Sequence, residues 1–335
     1  MSPRRRRGFR ATSGVALLAA AALLAACSSS GGATPSTSTP PSGSAPASTL
    51  PKTLVFSPLS LAPAALKGLA EGVKGYGGSQ GWKVIVQDPN FDAAKQVQQL
   101  TEVIDSGVAG AVWTLANSPS SMGSIITSAQ AKGVPILVNG QPSEWGFDGP
   151  QVGVTFDYID YGLAGTNMGT ELGKCVNDKL GGTATVLFGN AAAGSAGKEE
   201  YEKAALAALA ATAPNAKVVQ QLVTTDRAKA QTDIGNALQG QPGINAFMAP
   251  GDEGPLAAIG AFAAAGKPLP CVVAGTAGNP ETLAAVKSGK MYAVVALQFD
   301  ADLKQSFDTL ATMQQDPTAK GLILTVPQKI ITAAG

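Results

Sequence analysis

Short apolar runs alternate with helical segments along most of this chain, in two rounds of five, and that alternation leaves few folds open. The first round reads "TLVFS" (53 to 57), "WKVIVQ" (82 to 87), "GAVWTL" (110 to 115), "PILVN" (135 to 139) and "QVGVTF" (151 to 156). The second reads "TATVLFG" (183 to 189), "KVVQQLV" (217 to 223), "AFMAP" (246 to 250), "CVVAGT" (271 to 276) and "YAVVAL" (292 to 297). Near-continuous apolar runs of this length are strands covered on both faces. Helical spacing between them, as in Ala64 to Tyr76 and Ala93 to Ser106, each closed by glycine, makes the sheets parallel. Each round takes about 110 to 140 residues, the size of one domain. The expected fold is α/β, with two doubly wound parallel-sheet lobes. A helix at Ala301 to Gln314 and a tail, "GLILTVPQKIITAAG", follow the second round. The tail is too short for a third domain and is expected to cross back between the lobes.

The first fifty residues follow different rules. Arg4, Arg5, Arg6, Arg7 and Arg10 precede an apolar stretch from Val15 to Ala26. A dozen or so apolar residues are too few to span ~30 Å of hydrocarbon, and a basic segment before an apolar one is a secretory signal. Leu24-Ala25-Ala26-Cys27 resembles the lipobox of bacterial lipoproteins, which implies a diacylated, palmitate-bearing Cys27 as the mature N-terminus. "RRGF" at 6 to 9 matches a twin-arginine signal in part, so both export routes stay open. Residues 28 to 51 are mostly Ser, Thr, Gly, Ala and Pro without apolar periodicity, the composition of a tether. As a coil it would span roughly 27 Å. Apart from the five leading arginines, 19 basic residues face 23 acidic ones, so the folded part offers nothing basic to track a phosphate backbone, and nucleic acid is not an expected partner.

Chemistry-bearing motifs are few. The chain has no histidine, which removes the usual general base and the commonest metal ligand. "GGSQG" around Ser79 lies between a helix and a strand, the wrong context for a nucleophile elbow. "GNAAAGS" at 189 to 195 follows a strand like a phosphate loop, but Ser195 stands where lysine is needed. No cofactor, metal or catalytic residue is therefore expected. Cys175 and Cys271 are two cysteines in one exported lobe without C-x-x-C spacing, which reads as a disulfide, with two buried free thiols as the alternative. Asp252 precedes a helical segment and either caps it or faces a ligand. Trp113, at a strand end, and Trp145, in the loop after Asn139, either stack on a sugar face or pack inside the lobe. Asn139 is the first polar residue after the run Val134 to Val138, where open α/β sheets bind ligands. The alternative is that it pins its own loop.

Several stretches together resemble the periplasmic binding proteins of the type 1 fold, the ribose and galactose group of sugar-uptake lipoproteins. They are "LVFSPLSLAPAALKGLAEGVKGYG", "AAKQVQQLTEVIDSGVAGAVW", "KGVPILVNGQ" and "APGDEGPLAAIGAFAAAGK", in that order behind a lipobox. The resemblance runs from Leu54 to the C-terminus. It implies two lobes joined by three hinge crossings that close on a solute and deliver it to an ABC permease. The implied division is a signal peptide over 1–26, lipidated Cys27 and tether over 27–51, lobe one over 52–156 plus 299–324, and lobe two over 157–298 plus 325–335. Family ligand positions after strand one fall on Ser57 to Ser60. The Asp-Arg pair after strand four becomes Asn139-Gly140, and a lobe-two arginine becomes Lys198. Asp252 is retained beside Gly251, Ala277 replaces an aspartate, and a hinge glutamine falls near Gln298.

Position at the carboxyl ends of the strands and at the crossings thus marks Ser57, Trp113, Asn117, Asn139, Trp145, Asp157, Lys198, Asp252 and Gln298 as candidate ligand contacts. Charge-assisted clamps are about twice as strong as neutral hydrogen bonds, and most are softened here, so the expected solute is small, neutral and polyhydroxylated, a sugar or sugar alcohol. The leading reading is a monomeric solute-binding lipoprotein serving an ABC importer. A ligand sensor of the same fold, acting through a membrane partner, is the alternative.

Overall fold

The computed structural model describes residues 49–316 and 318–334; the signal segment, Cys27 and nearly all of the tether lie outside them. The chain begins β1 (Thr53–Ser57), α1 (Ala64–Ser79), β2 (Lys83–Val86), α2 (Ala93–Asp105), β3 (Ala111–Thr114), α3 (Gly123–Ala131), β4 (Ile136–Asn139) and β5 (Val154–Tyr158). It continues α4 (Tyr161–Leu180), β6 (Thr183–Asn190), α5 (Lys198–Thr212), β7 (Asn215–Val223), α6 (Arg227–Gly240), β8 (Ala246–Pro250), α7 (Glu253–Ala264), β9 (Cys271–Ala277), α8 (Pro280–Lys287) and β10 (Ala293–Leu297). The last elements are α9 (Phe299–Gln315), β11 (Ile323–Thr325) and β12 (Gln328–Thr332).

Two six-stranded sheets result, in the orders β11-β5-β4-β3-β1-β2 and β12-β10-β9-β8-β6-β7. Each is doubly wound with the same strand order, and only β12, antiparallel to β10, departs from parallel pairing. The tail crosses between the sheets as expected, β11 joining the first and β12 the second. Helix ends lie beyond the expected glycines in one case: α1 runs through Gly77 and Gly78 to Ser79. β5 begins three residues later than expected and includes Asp157 and Tyr158, because Gln151 and Val152 make only isolated bridges.

Alternation along the strands divides the first lobe's core. Val55, Val112, Val138 and Phe156 pack against α2 and α3. Leu54, Phe56, Trp113 and Leu137 face the other way, onto Val73 of α1 and Leu303 and Phe307 of α9. Each fully buried side chain of this size contributes about 1.5–3 kcal/mol relative to exposure. In the second lobe, α4 crosses α5 closely. Cβ atoms added at Gly165 and Gly169 would lie 2.2 Å and 2.0 Å from the carbonyl oxygens of Tyr201 and Ala205, so only glycine permits the approach.

Cys175 of α4 and Cys271, the first residue of β9, form a disulfide with Cα atoms 5.7 Å apart and a sequence separation of 96. It staples a helix to the sheet beneath it. Closing a loop of this length constrains the unfolded chain by at most about 4–5 kcal/mol in the chain-entropy model. The double variant Cys175→Ala/Cys271→Ala is expected to denature at lower urea than the oxidised wild type. Two alkylatable thiols in the denatured, unreduced wild type would contradict the bond.

Candidate functional site

The chain passes between the sheets three times: after β5 at Ile159 and Asp160, after β10 at Gln298, and between β11 and β12 at Val326 and Pro327. The crossings are bonded to one another. Val326 N–H donates to Tyr158 O at 2.9 Å and Gln298 N–H to Pro327 O at 2.8 Å. Gln328 Nε2 donates to Asp160 O at 3.0 Å. Beside them lies a cavity of about 540 Å³, within the ~300–1,000 Å³ range of small-molecule sites. Its floor is Trp113, Leu137, Asn139 and Asp157 at the carboxyl ends of β3, β4 and β5. Leu66 and Leu69 of α1 and Phe299 and Asp302 of α9 line one side, and Ala196, Gly197 and Glu200 reach it from the second lobe.

Of the nine candidate contacts, three line this cavity: Trp113, Asn139 and Asp157. Asn139 does two things. Its Oδ1 accepts the Ala116 N–H at 2.7 Å, pinning the loop after β3 rather than its own, and no bond engages its amide NH2. Trp113 is 2% exposed, forms an edge-to-face pair with Phe56, and has an indole N–H without a partner.

Ser57 and Asn117 do not reach the cavity. Both are held by Gln96, a fully buried side chain of α2 that fills the point where β1 and β3 diverge. Its Nε2 donates to Ser57 Oγ (3.1 Å) and Leu115 O (2.9 Å), and its Oε1 accepts the Asn117 N–H (2.9 Å) and Nδ2–H (3.1 Å). The crevice expected at that switch point is closed by an amide. Trp145 is core: its Nε1 donates to Asn139 O at 2.8 Å, and its ring packs on the α2/α3 face of the sheet, away from the cavity.

In the second lobe, Lys198 is ion-paired with Glu202 and lines a smaller adjoining recess of about 160 Å³ that shares Tyr161 and Ala196 with the cavity. Asp252 occupies the N-cap position of α7 without capping it. Its Oδ1 instead accepts the N–H groups of Gly278 (2.9 Å) and Asn279 (3.0 Å), joining the loops after β8 and β9. Gln298 is spent at the second crossing, its Nε2 donating to Ala296 O at 3.3 Å.

Asp302 is the residue that sequence reasoning missed. An acid in the first turn of a helix is ordinary, since it complements the helix dipole, and Asp300 and Asp302 both read that way. In the fold Asp302 is 8% exposed and stands against Asp157, 9% exposed. Burial, then the charge of Asp302, pushes the Asp157 carboxyl up to about 8. Burial raises Asp302 as well. Ser306 Oγ donates to Asp157 Oδ2 at 3.3 Å and Gln305 Nε2 to Asp302 Oδ1 at 2.7 Å, each favouring the ionised form but not enough to reverse the shift. Two acids this close and this dry hold one proton between them near neutrality. Burial also raises Tyr158 and Tyr161, followed by Asp160 and Glu200 for the first and Glu144 for the second.

Nothing in the cavity forms a nucleophile and base pair. Among the described residues, no cluster of three or more metal-ligating side chains is present, and no helix is long and apolar enough to cross a membrane. Two doubly wound lobes around a cavity at bonded crossings define a two-lobed ligand-capturing protein. The chain belongs to the periplasmic binding protein family: the periplasmic binding protein domain matches residues 58–316. It is 30% identical over 236 residues to the ribose import binding protein RbsB of Bacillus subtilis (strain 168), covering 69% of this chain and 71% of that one. The periplasmic ribose ABC transporter structure from Conexibacter woesei matches with TM-score 0.68 at 22% identity, over 87% of this chain and 95% of the other. The Caulobacter myo-inositol binding protein bound to myo-inositol matches with TM-score 0.61 at 20% identity, over 85% and 96%. These likenesses establish the type 1 fold, and membership makes the chain a substrate-binding protein rather than an enzyme.

The acid pair sets the sign of a pH effect. Unfolded aspartate titrates near 3.9, so between about pH 4 and pH 8 the folded chain keeps a proton that the unfolded chain has released, and stability falls as pH rises through that window. Asp157→Asn removes the more strongly raised of the two carboxyls and leaves Asp302, which burial raises. The urea midpoint of the wild type is expected to drop more between pH 5 and pH 8 than that of the variant; parallel slopes would show that the pair is not protonated in the fold.

Proposed function

We propose that the protein is the extracytoplasmic binding component of an ABC importer, capturing a sugar or sugar alcohol by hinge closure and presenting it to the permease. The observation that carries this reading is the cavity at the bonded crossings, whose lining residues Trp113 and Asn139 keep an indole N–H and an amide NH2 without protein partners beside the acid pair. Polar atoms buried in a folded protein are otherwise almost always paired. A polyhydroxylated ligand supplies both acceptors for Trp113 and Asn139 and donors for Asp157. Its contacts with Ala196, Gly197 and Glu200 would form only when the lobes are shut, and that difference in affinity drives closure. The ribose-import relative and the inositol-bound neighbour support the same class of solute. The lobe bounds implied by the resemblance, 52–156 plus 299–324 and 157–298 plus 325–335, fall one or two residues short of the crossings, because β5 runs to Tyr158 and β11 to Thr325 in the first sheet. The lobes we propose meet at the crossings instead, and the proposed state is monomeric.

A thermal-shift screen of pentoses, hexoses and cyclitols tests the reading. A cognate sugar at 100 times its dissociation constant is expected to stabilise the fold by about 2.7 kcal/mol. Asn139→Ala is expected to weaken that sugar by about 1–3 kcal/mol by calorimetry, since a ligand hydroxyl loses its buried donor. Absence of binding by every sugar and cyclitol would sink it.

The anchor is proposed on the sequence Leu24-Ala25-Ala26-Cys27, which lies outside the described residues. Cys27→Ala should release the protein from the membrane fraction or leave it unprocessed, and a variant still acylated and membrane-bound would refute the assignment.

A further inference from the structure

The softened clamps predicted a neutral solute, but the walls of the cavity are not neutral. Glu144, Asp157, Glu200 and Asp302 line it, and no lysine or arginine does. The one cation among the candidate contacts, Lys198, is paired with Glu202 and lines the adjoining recess. Glu144 is partly engaged, its Oε1 accepting the Gln141 N–H at 2.8 Å. Asp157 is different. With 9% of its surface exposed, it has as its close partner the carboxyl of Asp302, itself 8% exposed, with which it shares a proton, and its Oδ1 is otherwise buried without a donor. Asn139 and Leu324 flank it on the adjacent strands, and Ser306 and Gln305 approach the pair from α9, so none of these immediate neighbours is a cation.

Two carboxylates buried together without a positive partner are costly to ionise. A hydroxyl can donate one neutral hydrogen bond to such a pair. An ammonium brings three donors and the missing charge, in bonds about twice as strong as neutral ones. Trp113 meanwhile offers an indole N–H that calls for an acceptor, which a ligand hydroxyl supplies and an ammonium does not. We propose that the cavity selects a polyol carrying a protonated amine, an amino sugar or aminocyclitol, with the amine seated against Asp157 and Asp302 and a hydroxyl on Trp113. This rests on the sugar-binding reading and narrows it to a cationic class.

The test is calorimetry on the full chain with matched pairs: D-glucosamine against D-glucose, D-galactosamine against D-galactose and D-mannosamine against D-mannose, near pH 6.5. At least one aminated member is expected to bind about tenfold or more tightly than its neutral partner. Asp157→Asn and Asp302→Asn, each checked for folding by circular dichroism, are expected to bring that ratio close to one. A neutral sugar binding as well as or better than its aminated partner overturns this inference and leaves the sugar-binding reading standing. A preference that survives both variants overturns the assignment to the acid pair. Failure of all six sugars while a neutral pentose or cyclitol of the thermal-shift screen binds overturns this inference alone, and failure of the whole screen overturns the reading beneath it as well.

Discussion

The three crossings, bonded side by side, are the constraint on which the site depends. Parallel strands all leave a sheet at the same edge, so two parallel sheets linked at that edge bring their carboxyl ends to a common gap. The bonds from Val326 to Tyr158, from Gln298 to Pro327 and from Gln328 to Asp160 hold the links together as one narrow joint. Outside this joint each sheet is complete by itself, because β11 and β12 give each lobe its own edge strand from the tail. Motion concentrates where few residues connect two rigid cores, and a ligand in the gap can choose among the positions that the joint allows.

Polar side chains at the strand ends divide into those spent on the fold and those left over. Gln96 ties β1 to β3 from below, and Asp252 ties the loops after β8 and β9. Both occupy positions where an open α/β sheet could bind a ligand, and both give up that role to fix loops that would otherwise carry unpaired N–H groups. The leftover atoms gather at β3, β4 and β5. Other buried polar atoms without partners, such as Thr224 Oγ1 and Thr282 Oγ1, are scattered outside the cavity. Trp113 and Asp157 stand out because two such atoms share one floor.

The fold was legible because period and length survive any tertiary detail. Runs such as "AVWT" and "ILVN" are strands by composition, and their alternation with helices specifies parallel sheets. The site was legible only by position. Ser57, Asn117 and Trp145 follow strands as ligand residues do, but whether a side chain faces the gap or its own core depends on neighbours far away in sequence. Gln96, 39 residues from Ser57, decides the first two. Asp302 carried a signal that pointed elsewhere, since an acid in a first helical turn has a sufficient local explanation. Its pairing with Asp157 spans the whole second lobe in sequence and has no local trace.

That pairing also bears on how the joint works. Asp157 is the last residue but one of the strand that leads into the first crossing, and Asp302 lies in the first turn of the helix that leaves the second. The two carboxylates therefore bridge the chain on either side of the hinge, within the first lobe. A pair of dry acids is an expensive element to keep in a core, and replacing it with apolar groups would stabilise many proteins. Strained or costly elements persist where binding needs them. Here the expense falls beside the crossings, whose backbone would turn in the proposed closure. A ligand that satisfies the pair would bind at the floor of the cavity beside the root of the hinge, while closure as proposed would draw on the contacts with Ala196, Gly197 and Glu200, which alone differ between the open and shut states.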